Sequence, residues 1–127
     1  MTLSARNEIA SGQVLGNGQD LISHNCKYRL IMQGDGNVVL LKQDGNSQYS
    51  IVKWHSHTGG QDSPPYSLVM QGDNNLVIYN SHSVATWNTG TTGQGAAGAK
   101  AILQDDGNFV VYDTQWAVLW HTHTTGE

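Results

Sequence analysis

The sequence predicts an all-β protein made of three antiparallel meanders around a common axis. Composition points that way first: 127 residues hold 15 Gly but only 2 Pro, and 13% are charged. Such a mixture suits short strands joined by tight polar turns. No stretch keeps the three-and-four apolar spacing of an amphipathic helix. The decisive observation is a repeat. "RLIMQGDGNVVLLKQDGNSQYSIVKWHSHTGGQ" begins at Arg29, "SLVMQGDNNLVIYNSHSVATWNTGTTGQ" at Ser67, and "KAILQDDGNFVVYDTQWAVLWHTHTTGE" at Lys100. Each copy runs through an apolar triplet, Gln-x-Asp-x-Asn, an apolar run, a turn, a Trp and a Thr/Gly-rich exit.

Taken in order, residues 1–28 supply extra strands, with an internal echo in "GQVL" (12–15) and "GQDL" (18–21). In the first unit, about 29–61, "LIMQ" is a strand and "GDGN" a turn. "VVLL" is the next strand, and a third ends at Trp54. Asp-Gly and Asp-Asn mark hairpins because these residues tolerate positive φ. Units two and three, about 67–94 and 100–127, repeat the plan. Gln to Trp is 16 residues in both (Gln71 to Trp87, Gln104 to Trp120) but 21 in the first (Gln33 to Trp54), where "KQDGNSQY" lengthens the turn. A lone meander cannot bury its apolar face. Three can, as one domain spanning 1–127, if Trp54, Trp87 and Trp120 point inward.

Bulk properties exclude several functions. A net charge of −4 with no basic cluster leaves no footprint for nucleic acid. No apolar run approaches the ~20 residues of a membrane span, so membrane insertion is not expected. "MTLSARNEIASG" lacks the apolar core of a signal peptide. The expectation is a cytoplasmic protein, one exported by a non-classical route, or the mature form of a secreted one. Cys26 is the lone cysteine, so no internal disulfide can form, and it is read as a half-buried bystander.

The repeated polar residues carry the chemistry. In units two and three Gln, Asp, Asn, Val and Tyr recur at every second position: Gln71, Asp73, Asn75, Val77, Tyr79, then Gln104, Asp106, Asn108, Val110, Tyr112. The first unit has Gln33, Asp35, Asn37 and Val39, with Leu41 in the Tyr position. In a strand such residues share one face. Asp and Asn alone could simply cap a turn. A turn needs neither a Gln four residues before its Asn nor a Tyr four after it. An amide, a carboxylate, a second amide, an apolar patch and a phenol together suit an uncharged polyol with an apolar ring face.

This signature resembles that of the monocot mannose-binding, bulb-type lectins typified by snowdrop lectin, Gln-x-Asp-x-Asn-x-Val-x-Tyr. It matches in full twice and four-fifths once, and "ASGQVLGNGQDLISHNCKYRLIMQ" is similar to the family's amino-terminal pattern. The resemblance implies a β-prism II fold, three four-stranded antiparallel sheets about a pseudo-threefold axis. It implies a multivalent, mannose-specific, carbohydrate-binding function towards mannose or mannose-containing glycans, with neither cofactor nor metal. Gln, Asp and Asn would take the O2 and O3 hydroxyls, Tyr the O4, and Val the ring. Plant members usually carry a disulfide that this chain cannot form, which points to a non-plant or cytosolic relative. Leu41 weakens the first site. The family often dimerises by exchanging C-terminal strands, so a homodimer is a further expected partner, although "HTHTTGE" is a short tail for it.

Rival functions fit less well. A glycosidase needs two carboxylates in one site, whereas these occur singly; Asp105 and Asp106 are neighbours that point oppositely in an extended segment. His55-x-His57 and His121-x-His123 have a metal-site spacing but no third ligand, and are read as solvated turn histidines. The alternative function is a β-prism targeting or bacteriocin-like defence module, in which sugar binding aims another activity.

Overall fold

The protein is described from a computed structural model, over residues 6–60 and 62–125. Positions 1–5, 61 and 126–127, which the expected unit boundaries include, lie outside the described residues. Among those described there is no helix. The twelve strands are β1 (Glu8–Ile9), β2 (Val14–Leu15), β3 (Asp20–Ile22), β4 (Tyr28–Met32), β5 (Val38–Gln43), β6 (Tyr49–His55), β7 (Ser67–Met70), β8 (Leu76–Tyr79), β9 (Ala85–Asn88), β10 (Lys100–Leu103), β11 (Phe109–Tyr112) and β12 (Val118–His121). They form three four-stranded antiparallel sheets, ordered β3-β4-β5-β6, β2-β7-β8-β9 and β1-β10-β11-β12.

The amino-terminal segment therefore contributes one edge strand to each sheet. Ile9, Leu15 and Leu21 recur every six residues, and all three are fully buried. Each enters a different sheet, which accounts for the echo between residues 12 and 21. A six-residue period is one two- or three-residue strand plus one tight turn. The turns close locally: Gln13 and Gln19 accept from the backbone N–H of Ala10 (2.9 Å) and Gly16 (2.7 Å).

Alternation sorts the inner strands into two faces. Leu30, Met32, Val38 and Leu40 of the first sheet meet Leu68, Met70, Leu76 and Ile78 of the second. Ala101, Leu103, Phe109 and Val111 complete one continuous core. Burying each Leu or Ile fully is worth ~1.5–3 kcal/mol, and no disulfide assists. Trp54, Trp87 and Trp120 pack against this core as half-buried rings, edge-to-face in a triangle with centroids 5.5–5.7 Å apart. Cys26 differs from expectation. It is exposed, in a turn at φ 63°, because Tyr28 and not Cys26 turns inward.

One irregularity repeats in all three sheets. The ladder between the third and fourth strands shifts register between Leu40 and Leu41, Ile78 and Tyr79, and Val111 and Tyr112. Each bulge places one extra residue on the outer strand (Lys53, Thr86, Leu119), bending it just beside the last residue of the polar signature. Bulges commonly re-aim side chains next to binding sites.

Candidate functional site

Each signature begins in the hairpin turn between the second and third strands of its sheet. The turn is closed by the Gln N–H donating to the Asn carbonyl, for Gln33–Asn37 (2.9 Å), Gln71–Asn75 (3.0 Å) and Gln104–Asn108 (2.9 Å). Gly36, Asn74 and Gly107 take positive φ there, which explains Gly or Asn after each Asp. The Asp side chain does cap the turn: its Oδ1 accepts from the Asn N–H at 3.0, 3.0 and 2.9 Å. Capping uses one carboxylate oxygen and leaves Asp35, Asp73 and Asp106 exposed.

The Asn side chains are held from below by residues that the sequence reading missed. Asn37 Oδ1 accepts from Ser56 Oγ (3.1 Å) and the Thr58 N–H (3.3 Å). Asn75 Oδ1 accepts from Thr89 Oγ1 (3.1 Å) and the Thr91 N–H (3.2 Å). Asn108 Oδ1 accepts from Thr122 Oγ1 (3.1 Å) and the Thr124 N–H (3.3 Å). In each sheet the second hydroxyl donates to a carbonyl of the turn and lies 2.7, 2.8 and 2.7 Å from the first. With Oδ1 committed inward, each Asn must turn its Nδ2 donors outward. The signal was a hydroxyl residue two and four positions after each Trp.

Gln and Tyr distinguish the three places. Gln71 Nε2 donates to both carboxylate oxygens of Asp73 (3.0 and 3.2 Å), and the Tyr79 hydroxyl donates to Gln71 Oε1. Gln104, Asp106 and Tyr112 repeat the arrangement, at 3.1 and 3.2 Å for the Gln–Asp pair. The phenol fixes which end of the amide faces the carboxylate. In the first sheet Leu41 offers no hydroxyl, and among the described residues Gln33 makes neither bond. Instead Gln33, Asn37, Val39, Leu41, Val52 and His55 line an open cavity of about 330 Å³ with one apolar wall. Tyr49 does not substitute, since its hydroxyl donates to the Cys26 carbonyl (2.8 Å). Val39, Val77 and Val110 lie on this outer face, but 2–5% exposure leaves each only a small patch for a ligand.

Two of the four paired histidines belong here, which corrects their reading as solvated turn residues. His55 and His121 are half-buried, and their Nδ1 atoms lie 3.3 and 3.1 Å from Asn37 Nδ2 and Asn108 Nδ2. The N–H groups of His57 and His123 donate to the same Nδ1 atoms (3.2 and 3.3 Å). Those bonds set the rings as acceptors at Nδ1. His57 and His123 themselves are exposed. In the second sheet Asn88 occupies the equivalent register and no described residue accepts from Asn75 Nδ2. Asp105 faces away from Asp106, accepting from the Asn25 N–H (2.8 Å), so each place holds a single carboxylate.

No protein-family model and no curated protein matches the sequence. Solved structures do. The chain is similar to a monomeric monocot mannose-binding lectin from Gastrodia elata, at 36% identity over 94% of this chain and 98% of that one, with a TM-score of 0.78. It is similar to the mannose-specific agglutinin of snowdrop (Galanthus nivalis) bulbs, solved with methyl α-D-mannoside: 37% identity, 91% and 98% coverage, TM-score 0.74. A lectin from Marasmius oreades matches at 28% identity, 97% and 95% coverage and TM-score 0.79. With three bulged sheets, a twice-complete signature and relatives above 30% identity along nearly their whole length, the chain belongs to the monocot mannose-binding, bulb-type lectin family.

Proposed function

We propose that the protein is a non-catalytic lectin that binds mannose and mannose-containing glycans without a metal. Gln71, Asp73, Asn75, Val77 and Tyr79 form one site, and Gln104, Asp106, Asn108, Val110 and Tyr112 another. Gln33, Asp35, Asn37 and Val39, in the first repeat, form a weaker one, so that the Gln33, Gln71 and Gln104 sites are the first, second and third in chain order. The observation that carries the proposal is the Tyr–Gln–Asp relay, present twice with near-identical geometry on the central hairpins of two sheets, with the Asp exposed. A sugar hydroxyl entering it donates to the carboxylate and accepts from an amide N–H, so two neighbouring hydroxyls satisfy all three side chains at once. The mannoside complexes of the snowdrop agglutinin and of the Polygonatum cyrtonema lectin, 33% identical, support the choice of sugar.

One carboxylate per site supports binding over hydrolysis, since glycoside cleavage uses two flanking the scissile bond, roughly 5–9.5 Å apart. Amide donors with a single carboxylate likewise fall short of the six to eight oxygens of a calcium cage. Each exposed contact nets only ~1 kcal/mol against water, so single sites are weak, on the order of millimolar, and avidity comes from several sites together. A glycan array followed by calorimetry with methyl α-mannoside tests this. Signal confined to mannosylated glycans is expected. No such signal, or turnover of the sugar, refutes it. No observation favours the alternative of a module that aims another activity.

A further inference from the structure

We propose that the third site extends over Trp116, whose indole is a stacking platform for a second pyranose ring linked to the one held by Gln104, Asp106, Asn108 and Tyr112. This rests on that site binding a mannoside. Trp116 is the most exposed large apolar side chain described, at 63%. It occupies the tip of the turn between β11 and β12, and the other two sheets have the same turn. In each, an Asp or Asn accepts from backbone N–H groups two and four residues on: Asp44 (2.7 and 3.1 Å), Asn80 (2.9 and 3.1 Å) and Asp113 (2.8 and 2.9 Å). The residue three on has positive φ in all three: Ser47 at 62°, Ser83 at 59° and Trp116 at 64°.

A small polar residue suits that left-handed position, and a bulky aromatic is strained there. Trp116 therefore brings strain and recovers little burial. Its place in the turn has no folding advantage over Ser, which leaves what the ring presents outward. The ring meets the site directly: its centroid is 5.4 Å from that of Tyr112 at 66°, and Tyr112 is the residue whose hydroxyl sets Gln104. Lys100 Nζ lies 5.5 Å from the indole centroid and Glu8 holds that ammonium at 3.7 Å, so the ring is propped from the sheet. The turn is also pinned. Asp113 is buried and accepts from the Ala96 N–H (2.9 Å), with Gly95 so close that an added Cβ would lie 2.6 Å from Asp113.

A preformed, exposed aromatic plane next to a hydroxyl-binding cluster matches the amphipathic pyranose ring, whose C–H face stacks while its rim stays wet. Of its neighbours, Thr114, Gln115 and Lys100 are polar, and exposed Ala117 and Val118 add only a short apolar strip. That setting suits a sugar better than a second copy of this chain, which needs ~800 Å² of complementary surface. The expected ligand is thus an α-linked mannose disaccharide or longer glycan, bound only at the third site in this extended mode.

The test uses the full chain with Asp35 and Asp73 changed to Ala, which spares the inward-bonded amides of Asn37 and Asn75 and leaves the third site alone intact. Methyl α-mannoside and a panel of α-linked dimannosides are titrated by calorimetry, with indole fluorescence followed in parallel. At least one dimannoside should bind on the order of tenfold tighter than the monosaccharide, beyond the statistical factor of two, and should shift the fluorescence. Trp116→Ser, the residue of the two sister turns, should abolish that preference, leave methyl α-mannoside within twofold and not lower the melting temperature. Trp116→Phe should restore part of the preference. Equal affinities for both ligands before and after Trp116→Ser overturn the platform alone. A parallel loss of both ligands in Trp116→Ser also overturns it, because the ring then only props Tyr112. Self-association that Trp116→Ser removes, with dimannoside binding unchanged, assigns the ring to a contact between copies. Absence of all mannoside binding in the unmodified protein overturns the proposed function and the platform with it.

Discussion

Replacing Leu41 with Tyr should convert the first site from a weak one into an equal of the others. The substitution fits without repacking, because residue 41 lies on the outer face beside the cavity and not in the core. Its cross-strand partner is Val52, as Val118 is for Tyr112, so the neighbour already tolerates a phenol. Two terms set the magnitude. A hydroxyl facing the sugar contributes ~1 kcal/mol net. Orienting Gln33 before the ligand arrives spares another ~0.5–1.5 kcal/mol of side-chain ordering. The sum, ~2 kcal/mol, is about thirtyfold in affinity. The assay is an NMR titration with methyl α-mannoside in a chain carrying Asp73→Ala and Asp106→Ala, so that only the first site reports. Unchanged affinity in Leu41→Tyr would mean that the phenol does not set the amide. A second check uses the native chain. Asp35→Ala with Asn37→Ala should remove little of the total binding, whereas the same pair of changes at Asp73/Asn75 or Asp106/Asn108 should each remove a large share. If the first pair costs the most, the ranking of sites is reversed.

Dialysis against a chelator should leave mannoside affinity unchanged; a loss restored by calcium or zinc would implicate Asp73, Asp106 and the histidine pairs. Trp87→Ala or Trp120→Ala should destabilise by roughly 3–5 kcal/mol, Trp87 forfeiting two edge-to-face partners and Trp120 three, as well as burial. Denaturant melts measure it, and a fully stable mutant lacking only sugar binding would place these rings at the ligand. Asp113 governs an acid limb: the N–H groups of Ala96 and Ala117 hold its carboxyl below the usual carboxylate range, against opposing desolvation. A depressed folded value means the stabilisation is complete above about pH 4 and fades as pH falls through the lowered value. Thermal melts between pH 7 and pH 3 should therefore fall less steeply for Asp113→Asn than for the native chain, and parallel curves would refute the assignment.

Much of the fold was legible because two independent periodicities agreed. Alternation identified the inner strands, and the recurrence of Gln-x-Asp-x-Asn set them in register across three sheets. The edge strands were harder. β1 and β2 are two residues each and β3 three, too short to show a period; only the echo between residues 12–15 and 18–21 betrayed β2 and β3, and nothing betrayed β1. That they disperse to three different sheets is a tertiary fact which no local pattern encodes. Cys26 was misjudged for a related reason: Ser23, Asn25 and the Tyr28 N–H close a small hydrogen-bonded turn that expels it.

The candidate sites were legible in their outer residues and opaque beneath. Ser56, Thr89 and Thr122 read as loop composition, yet their hydroxyls, with the following Thr, lock the Asn amides from the buried side. The histidines at 55 and 121 read as metal-spaced or solvated, and they lie against the same amides. Comparing the three copies inside one chain separates support from presentation. The turn, the Asp cap and the hydroxyl pair occur with the same geometry three times, since any failure there would leave a buried polar group unpaired. The differences that bear on the site fall on outward residues: Leu41 against Tyr79 and Tyr112, Asn88 against His55 and His121, Trp116 against Ser47 and Ser83. Those are the positions where a side chain can change without disturbing the core, and where it would meet the ligand first. Three copies of one scaffold thus present three different surfaces, and discrimination among glycans should be sought at those positions and not in the repeated signature.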